Sequence, residues 1–170
     1  MRRAALLLPL LLAACNTTQQ AALPATPFNA SEAAYIKAAG KATIEGHAFL
    51  KDKSGTVKVA AGEVVRLVPA SSYAQARFAH FYGGAKFVPA ASIPKIEPDP
   101  NYAAYTRTTK TESNGRFTFD KVAPGHYYVT TQLIWEGKEG ALFKQGGAFY
   151  EDVTVSSADA EPVKVVLSGN

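Results

Sequence analysis

Hydrophobic and polar residues alternate along several short segments of the chain, and this period of two predicts β-strands. In residues 125–135 the inward face carries Tyr127, Val129, Thr131, Leu133 and Trp135. Other inward positions are predicted in residues 42–50, 62–69, 116–122, 149–155 and 162–167: Ile44, Gly46, Ala48, Val65, Leu67, Phe117, Phe119, Val122, Val153, Val155, Val163, Val165 and Leu167. With a further strand at 105–112, about seven short strands and no long helix predict an all-β, antiparallel seven-stranded β-sandwich.

Two turns divide the segment from Lys110 to Trp135. Asn114-Gly115 suits a tight turn, because both residues tolerate a positive φ angle. Pro124-Gly125 makes a second turn before the long strand. The pattern predicts that this segment is a hairpin of the sandwich. A third turn is predicted at residues 52–55.

The strand before Pro69 is predicted to bury Val65 and Leu67 and to expose Val64, Arg66 and Val68. Pro69 should end it, because proline has no N–H group for the ladder.

Two segments lack the alternation of apolar and polar residues that predicts strands. Residues 31–40 predict a short helix that Ser31 caps and Gly40 closes, with Tyr35 and Ile36 lying on the sandwich. Residues 70–105 form an insertion, in which a helix begins near Ser71 and is followed by chain made irregular by four prolines. The glycines at 83 and 84 are expected to stop this helix.

Aromatic side chains of the insertion fall close to one helical stripe, and they are candidates for binding a partner together with Trp135. The stripe residues are Tyr73, Phe78, Phe81 and Tyr82. A second interpretation is that the helix covers an open end of the sandwich. Aromatic residues at helical spacing are usually core, which favours packing.

Composition is consistent with one folded domain. Hydrophobic residues make up 47% and charged residues 19% of the 170 residues, so the chain can bury a sizeable core. The formal net charge is +4, but Lys and Arg are scattered along the chain. Nucleic acid is therefore not predicted as a partner, since its binding needs a basic patch or stripe.

The first fifteen residues predict a targeting segment. Arg2 and Arg3 precede an apolar run, residues 4–12, that is too short to span a bilayer. The motif Leu12-Ala13-Ala14-Cys15 resembles a bacterial lipoprotein box. The resemblance implies a signal peptide of residues 1–14 and an acylated Cys15 that holds the protein to a lipid bilayer. The alternative is an ordinary signal peptide in which the cysteine is incidental.

Asn16 follows the cysteine, in place of the aspartate associated with inner-membrane retention. By the same resemblance we expect the outer membrane, with the protein facing the periplasm or the outside. Residues 15–41 are predicted as a lipid-anchored tether with the short helix, and residues 42–170 as the sandwich with its insertion.

A recurring pattern of turn and core residues surrounds the two predicted turns: Gly115, Phe117, Phe119, Val122, Pro124, Gly125 and Tyr127. It resembles the carboxypeptidase regulatory-like domains, which share a transthyretin-like (prealbumin-like) sandwich. The resemblance implies an accessory, adhesive or folding-support module rather than an enzyme.

Catalytic and metal-binding patterns are not found in the sequence. His47, His80 and His126 lie in different predicted elements without a zinc-type spacing. Ser54 and Ser113 lack the glycine context of a nucleophilic serine. We therefore predict no cofactor, no metal and no enzymatic activity, and a cryptic hydrolase is the weakest hypothesis.

Two functional hypotheses remain. The first is a non-catalytic envelope lipoprotein that binds another envelope protein through the aromatic insertion or an exposed sheet edge. The second is a carbohydrate-binding module that uses Trp135, Tyr82 and Tyr128 as stacking platforms.

The lipoprotein hypothesis predicts that Cys15→Ala leaves an unlipidated precursor, because the thiol that accepts the diacylglyceryl group is gone. Metabolic labelling with a fatty acid and membrane fractionation measure this. Normal processing and membrane retention of the variant would contradict the hypothesis, and Ser54→Ala serves as the control.

Overall fold

Two β-sheets pack face to face in the computed structural model, which describes residues 26–137, 143–157 and 161–169. The strands are β1 (Ala42–Lys51), β2 (Val57–Val59), β3 (Val64–Pro69), β4 (Phe87–Pro89), β5 (Arg107–Lys110), β6 (Arg116–Val122), β7 (Gly125–Trp135), β8 (Gln145–Val155) and β9 (Val163–Leu167). The helices are α1 (Ala30–Ala33), α2 (Ser72–Tyr82) and the 3-10 helices Ala34–Lys37, Ala90–Ser92 and Tyr102–Tyr105. The predicted signal peptide and Cys15 lie outside the described residues, and so does most of the predicted tether.

The all-β sandwich is confirmed, but the predicted count of seven strands is wrong. The described residues form nine strands in sheets of four and five. The sequence missed β2 and β4, because three residues are too few to show alternation. The sandwich is also not wholly antiparallel, since β9 runs parallel to β1 from Ile44↔Val163 to Ala48↔Leu167.

Sheet membership corrects the prediction of a hairpin between Lys110 and Trp135. The five-stranded sheet has the order β4-β8-β7-β3-β5, while β6 pairs with β1 in the other sheet. The turn at Gly115, where φ is +77°, therefore carries the chain from one sheet to the other. The turn at Pro124-Gly125 carries it back. Local turn chemistry predicts where the chain reverses but not which strand it pairs with next.

The predicted inward positions do form the core between the sheets. Ile44, Leu67, Tyr127, Val129 and Leu167 are all fully buried, and Val163 is partly buried against them. On β6 the inward residues break the period of two, because Lys121 adopts a positive φ of 53° and the register with β1 shifts there. This bulge turns Val122 inward beside Phe119.

Helix α2 adds a third layer on the outer face of the five-stranded sheet. Its first turn is capped by Ser71, whose Oγ accepts a hydrogen bond from the Ala74 N–H at 3.2 Å, and it ends at Gly83 in the left-handed conformation. The helix was predicted, but it covers a sheet face rather than an open end. Val68, which was predicted to face solvent, is therefore buried beneath it.

The N-terminal helix is shorter than predicted and has a different cap. Asn29 Oδ1 accepts the Ser31 N–H at 3.0 Å, and the helical residues end at Lys37 rather than Gly40. Ile36 is buried, and the Tyr35 ring lies 5.1 Å from that of Tyr127, so the predicted packing on the sandwich is confirmed.

Residues 136–147 contain four glycines and several charged residues, which predicts a loop, but part of this segment is a strand. Gln145, Gly146 and Gly147 begin β8, while residues 138–142 lie outside the described ranges. The turn predicted at residues 52–55 is present, with Asp52 Oδ1 accepting the Ser54 and Thr56 N–H groups at 2.9 Å. Within the described ranges, no helix has the length and apolar character needed to cross a membrane.

Phe117→Ala should destabilise the protein by ~3–5 kcal/mol, because a buried ring would leave a cavity. The Phe117 ring is 3% exposed and occupies space left by Gly46, where an added Cβ would lie 1.9 Å from its Cζ. Urea unfolding measures the change. Thr118→Ala, at an exposed position of the same strand, is the matched control, and equal stability of the two variants would contradict this packing.

Candidate functional site

Most aromatic residues predicted as a binding surface are buried. Tyr73, Phe78 and Tyr82 are 4%, 7% and 6% exposed, while Phe81 and Trp135 are partly exposed. Phe78 stacks on Tyr128 of β7 with 4.3 Å between ring centroids. These contacts explain three of the residues by packing, and a protein-binding role for the set stays a prediction.

Beside this cluster lies a cleft of about 410 Å³, which we call the α2 cleft. Its walls come from helix α2, from β3, β5 and β7, and from the 3-10 helix Tyr102–Tyr105. The lining combines aromatic rings with hydroxyl, amide and guanidinium groups: Arg66, Arg77, Phe81, Tyr82, Tyr102, Thr108, Thr130 and Gln132. Its size lies within the range of ~300–1,000 Å³ that is usual for small-molecule sites.

Tyr82 sits at the base of the α2 cleft and joins the helix to the sheet. Its hydroxyl lies 2.8 Å from Thr130 Oγ1, and Thr130 Oγ1 donates to the Phe149 carbonyl at 3.1 Å. Because a threonine hydroxyl has one proton, Tyr82 must be the donor in the first bond. Burial raises the pKa of the Tyr82 phenol to about 12, against the opposing charges of Arg66 and Arg77.

Arg77 projects from α2 into the wall of the cleft. Its Nη2 donates to the Ile96 carbonyl at 3.3 Å, and its Cζ lies 5.8 Å from the centroid of the Tyr102 ring. Its Nη1 is buried and has no hydrogen-bond acceptor among the described residues. Burial also raises the pKa of the Tyr102 phenol, although the charge of Arg77 opposes this rise. The Tyr102 phenol is therefore neutral at physiological pH and does not compensate the guanidinium charge.

Arg66 stands on β3, where its register partners are Thr130 on β7 and Thr108 on β5. Its side chain is exposed at the cleft. Within the described ranges, the ion pairs closer than 4.0 Å include neither Arg66 nor Arg77. Among the described residues, the lining also contains no aspartate or glutamate. The α2 cleft is consequently a positively charged pocket.

Trp135 lies at a different cleft, of about 510 Å³, between the ends of β1, β4 and β8. Phe143 on its rim is 70% exposed.

The predicted absence of catalytic and metal patterns can be compared only with the described residues. These contain no cluster of three His, Cys, Asp or Glu side chains that could hold a metal. His47 Nε2 lies 2.9 Å from the Asn114 carbonyl. Glu151 and Asp152 both form ion pairs with Lys86, whose ammonium group is therefore the cation beside this acidic pair.

Sequence reasoning missed the polar half of the α2 cleft. Arg77 lies four residues from both Tyr73 and Phe81, so a charged residue within the aromatic stripe was a visible signal. Arg66 was correctly placed on the outer face of its strand. That both arginines line one cleft depends on α2 packing over that face, which no local pattern shows.

Comparison with known proteins finds a relative of known structure. No protein-family model and no curated protein sequence matches the chain. A crystal structure from Pseudomonas aeruginosa, described as that of a "putative carbohydrate binding protein", is 33% identical, with a TM-score of 0.70. The similarity covers 84% of this chain and 98% of the other.

Tyr82→Phe should change how stability depends on pH. Folding raises the pKa of Tyr82 from 10.0 to about 12. The contribution of this shift to the free energy of unfolding is therefore fully present below pH 10 and is lost as pH rises towards about 12. The variant loses the Thr130 hydrogen bond and should be ~0.5–1.5 kcal/mol less stable at neutral pH. Between pH 10 and 12 it should lose less stability than the wild type. Urea unfolding at a series of pH values measures this. If wild type and variant lost the same stability between pH 10 and 12, the raised pKa of Tyr82 would be contradicted.

Proposed function

The chain belongs to the same family as this Pseudomonas aeruginosa protein, and we propose that it binds carbohydrate in the α2 cleft. The observation that carries the proposal is the mixed lining of this cleft, in which aromatic rings face hydroxyl and amide groups. The description of the relative as carbohydrate binding supports the same ligand class.

Sugar rings have one face of C–H groups and a rim of hydroxyls, and both features have counterparts in the lining. Phe81 and Tyr102 are half-buried and supply apolar ring surface. Thr108 and Gln132 supply polar groups from β5 and β7. Strands and a packed helix hold these groups, so the arrangement is largely formed before a ligand enters.

The proposed platforms differ from those that the sequence suggested. Tyr128 has one ring face covered by Phe78, and Tyr82 is buried with its hydroxyl bound to Thr130. Tyr128 is not part of the described lining of the α2 cleft, and the Tyr82 ring is buried. Phe81 therefore takes the stacking role in this proposal, together with Tyr102.

The proposal concerns binding rather than cleavage. Most glycoside hydrolases need a pair of carboxyl groups beside the scissile bond. The described lining of the α2 cleft holds no carboxyl group.

We further propose that the module is anchored in the bacterial outer membrane through acylated Cys15. The lipoprotein-box resemblance supports this part. We also propose that the sandwich is a carboxypeptidase regulatory-like domain, which the pattern of turn and core residues from Gly115 to Tyr127 supports. A protein partner remains the alternative hypothesis, and Val57 and Val166 are exposed apolar residues of the four-stranded sheet where such a partner could contact it.

Phe81→Ala should weaken carbohydrate binding ~10-fold, because the ligand would lose an apolar surface worth ~1.5 kcal/mol. A glycan array identifies the bound sugar, and titration calorimetry with that sugar measures the affinity. Phe143→Ala at the second cleft is the matched control. Loss of binding in the Phe143 variant alone would place the site at the second cleft, and wild-type protein that binds no glycan would refute the proposed function.

A further inference from the structure

The charge of the α2 cleft indicates a narrower ligand class. Arg66 and Arg77 both line it, and among the described residues neither guanidinium has a carboxylate within 4.0 Å. Building on the proposed function, we infer that the ligand is an acidic sugar whose carboxylate binds between Arg66 and Arg77.

Arg77 is an unusual cation because part of it is buried without an anion. Its Nη1 has no acceptor among the described residues, and its Nη2 reaches only the carbonyl of Ile96 at 3.3 Å. A buried charge without a counter-charge is unfavourable in a protein interior. A ligand carboxylate in the cleft would supply that counter-charge, and the neutral phenols of Tyr82 and Tyr102 cannot.

Arg66 is placed to make the direct contact. It is exposed on β3, and its register partners on the flanking strands are Thr108 and Thr130. A guanidinium binds a planar carboxylate through two parallel N–H···O bonds, which orients the ligand as well as holding it. The carboxylate at the edge of a uronic acid ring would lie at Arg66 while the apolar ring face contacts Phe81.

A neutral sugar would leave both arginine charges uncompensated. Hydroxyl groups can accept hydrogen bonds from guanidinium groups, but only a carboxylate supplies a counter-charge and accepts two parallel N–H···O bonds at once. Two positive charges in a concave site with low-dielectric walls also raise the local concentration of anionic ligands. The cleft should therefore select acidic over neutral sugars of the same shape.

The test compares oligouronates with their own methyl esters, which keep the sugar backbone and remove the charge. Titration calorimetry with the purified full-length protein should show the acid form binding at least ~10-fold more tightly, as expected for a charge-assisted hydrogen bond. Added salt should weaken binding of the acid form and leave binding of the ester nearly unaffected.

Arg66→Gln should remove most of the preference for the acid form, measured as the ratio of the acid and ester affinities. Arg77→Gln should act in the same direction, and its thermal unfolding curve shows whether α2 remains packed. Arg116→Gln is the matched control, since Arg116 is exposed on β6 in the other sheet. It should keep the full preference for the acid form.

Equal binding of acid and ester would overturn the inference, and so would an Arg116 variant that loses as much preference as the Arg66 variant. If both forms bind equally and Phe81→Ala weakens them, the proposed carbohydrate site stands and only the acidic-sugar inference fails. If no acidic or neutral sugar binds, the proposed function itself has failed.

Discussion

The stacking of Phe78 on Tyr128 attaches helix α2 to the outside of the sandwich. The two rings lie 4.3 Å apart at an interplanar angle of 20°, and the edge of Tyr150 meets Phe78 at 5.0 Å. Aromatic contacts of this kind add to the free energy gained from burying the rings. They turn a sheet face that would otherwise meet water into a second apolar layer, which also contains Val68 and Ala148.

The shape of the α2 cleft follows from this attachment. A helix packed on a twisted sheet cannot contact every strand equally, and here the space beside it is closed by the 3-10 helix Tyr102–Tyr105. Tyr82 limits its depth, because its hydroxyl is bound to Thr130 on β7. The cleft therefore depends on the packing of α2, and a residue of the helix core can affect binding without touching a ligand.

The same placement explains the charge of the cleft. Arg66 belongs to the sheet and Arg77 to the helix, and each would be an ordinary surface arginine if α2 lay elsewhere. Part of the Arg77 guanidinium is buried, where it contacts the Ile96 carbonyl and the Tyr102 ring, and Arg77 lines the pocket that Arg66 borders. Both residues are held by regular secondary structure, which favours a site with fixed geometry over one formed by loops.

The sequence alone determined which residues of most strands are buried, because side chains alternate across a strand and the core selects apolar ones. It also located α2, since Ser71 and the glycine at 83 mark its ends through local backbone chemistry. Only the tertiary structure decided that β5, β6 and β7 alternate between two sheets, because the Asn114-Gly115 turn is compatible with either pairing. It also decided that α2 covers Val68 and brings Arg77 to the cleft beside Arg66. These contacts join residues distant in sequence, and periodicity reports only on neighbours along the chain.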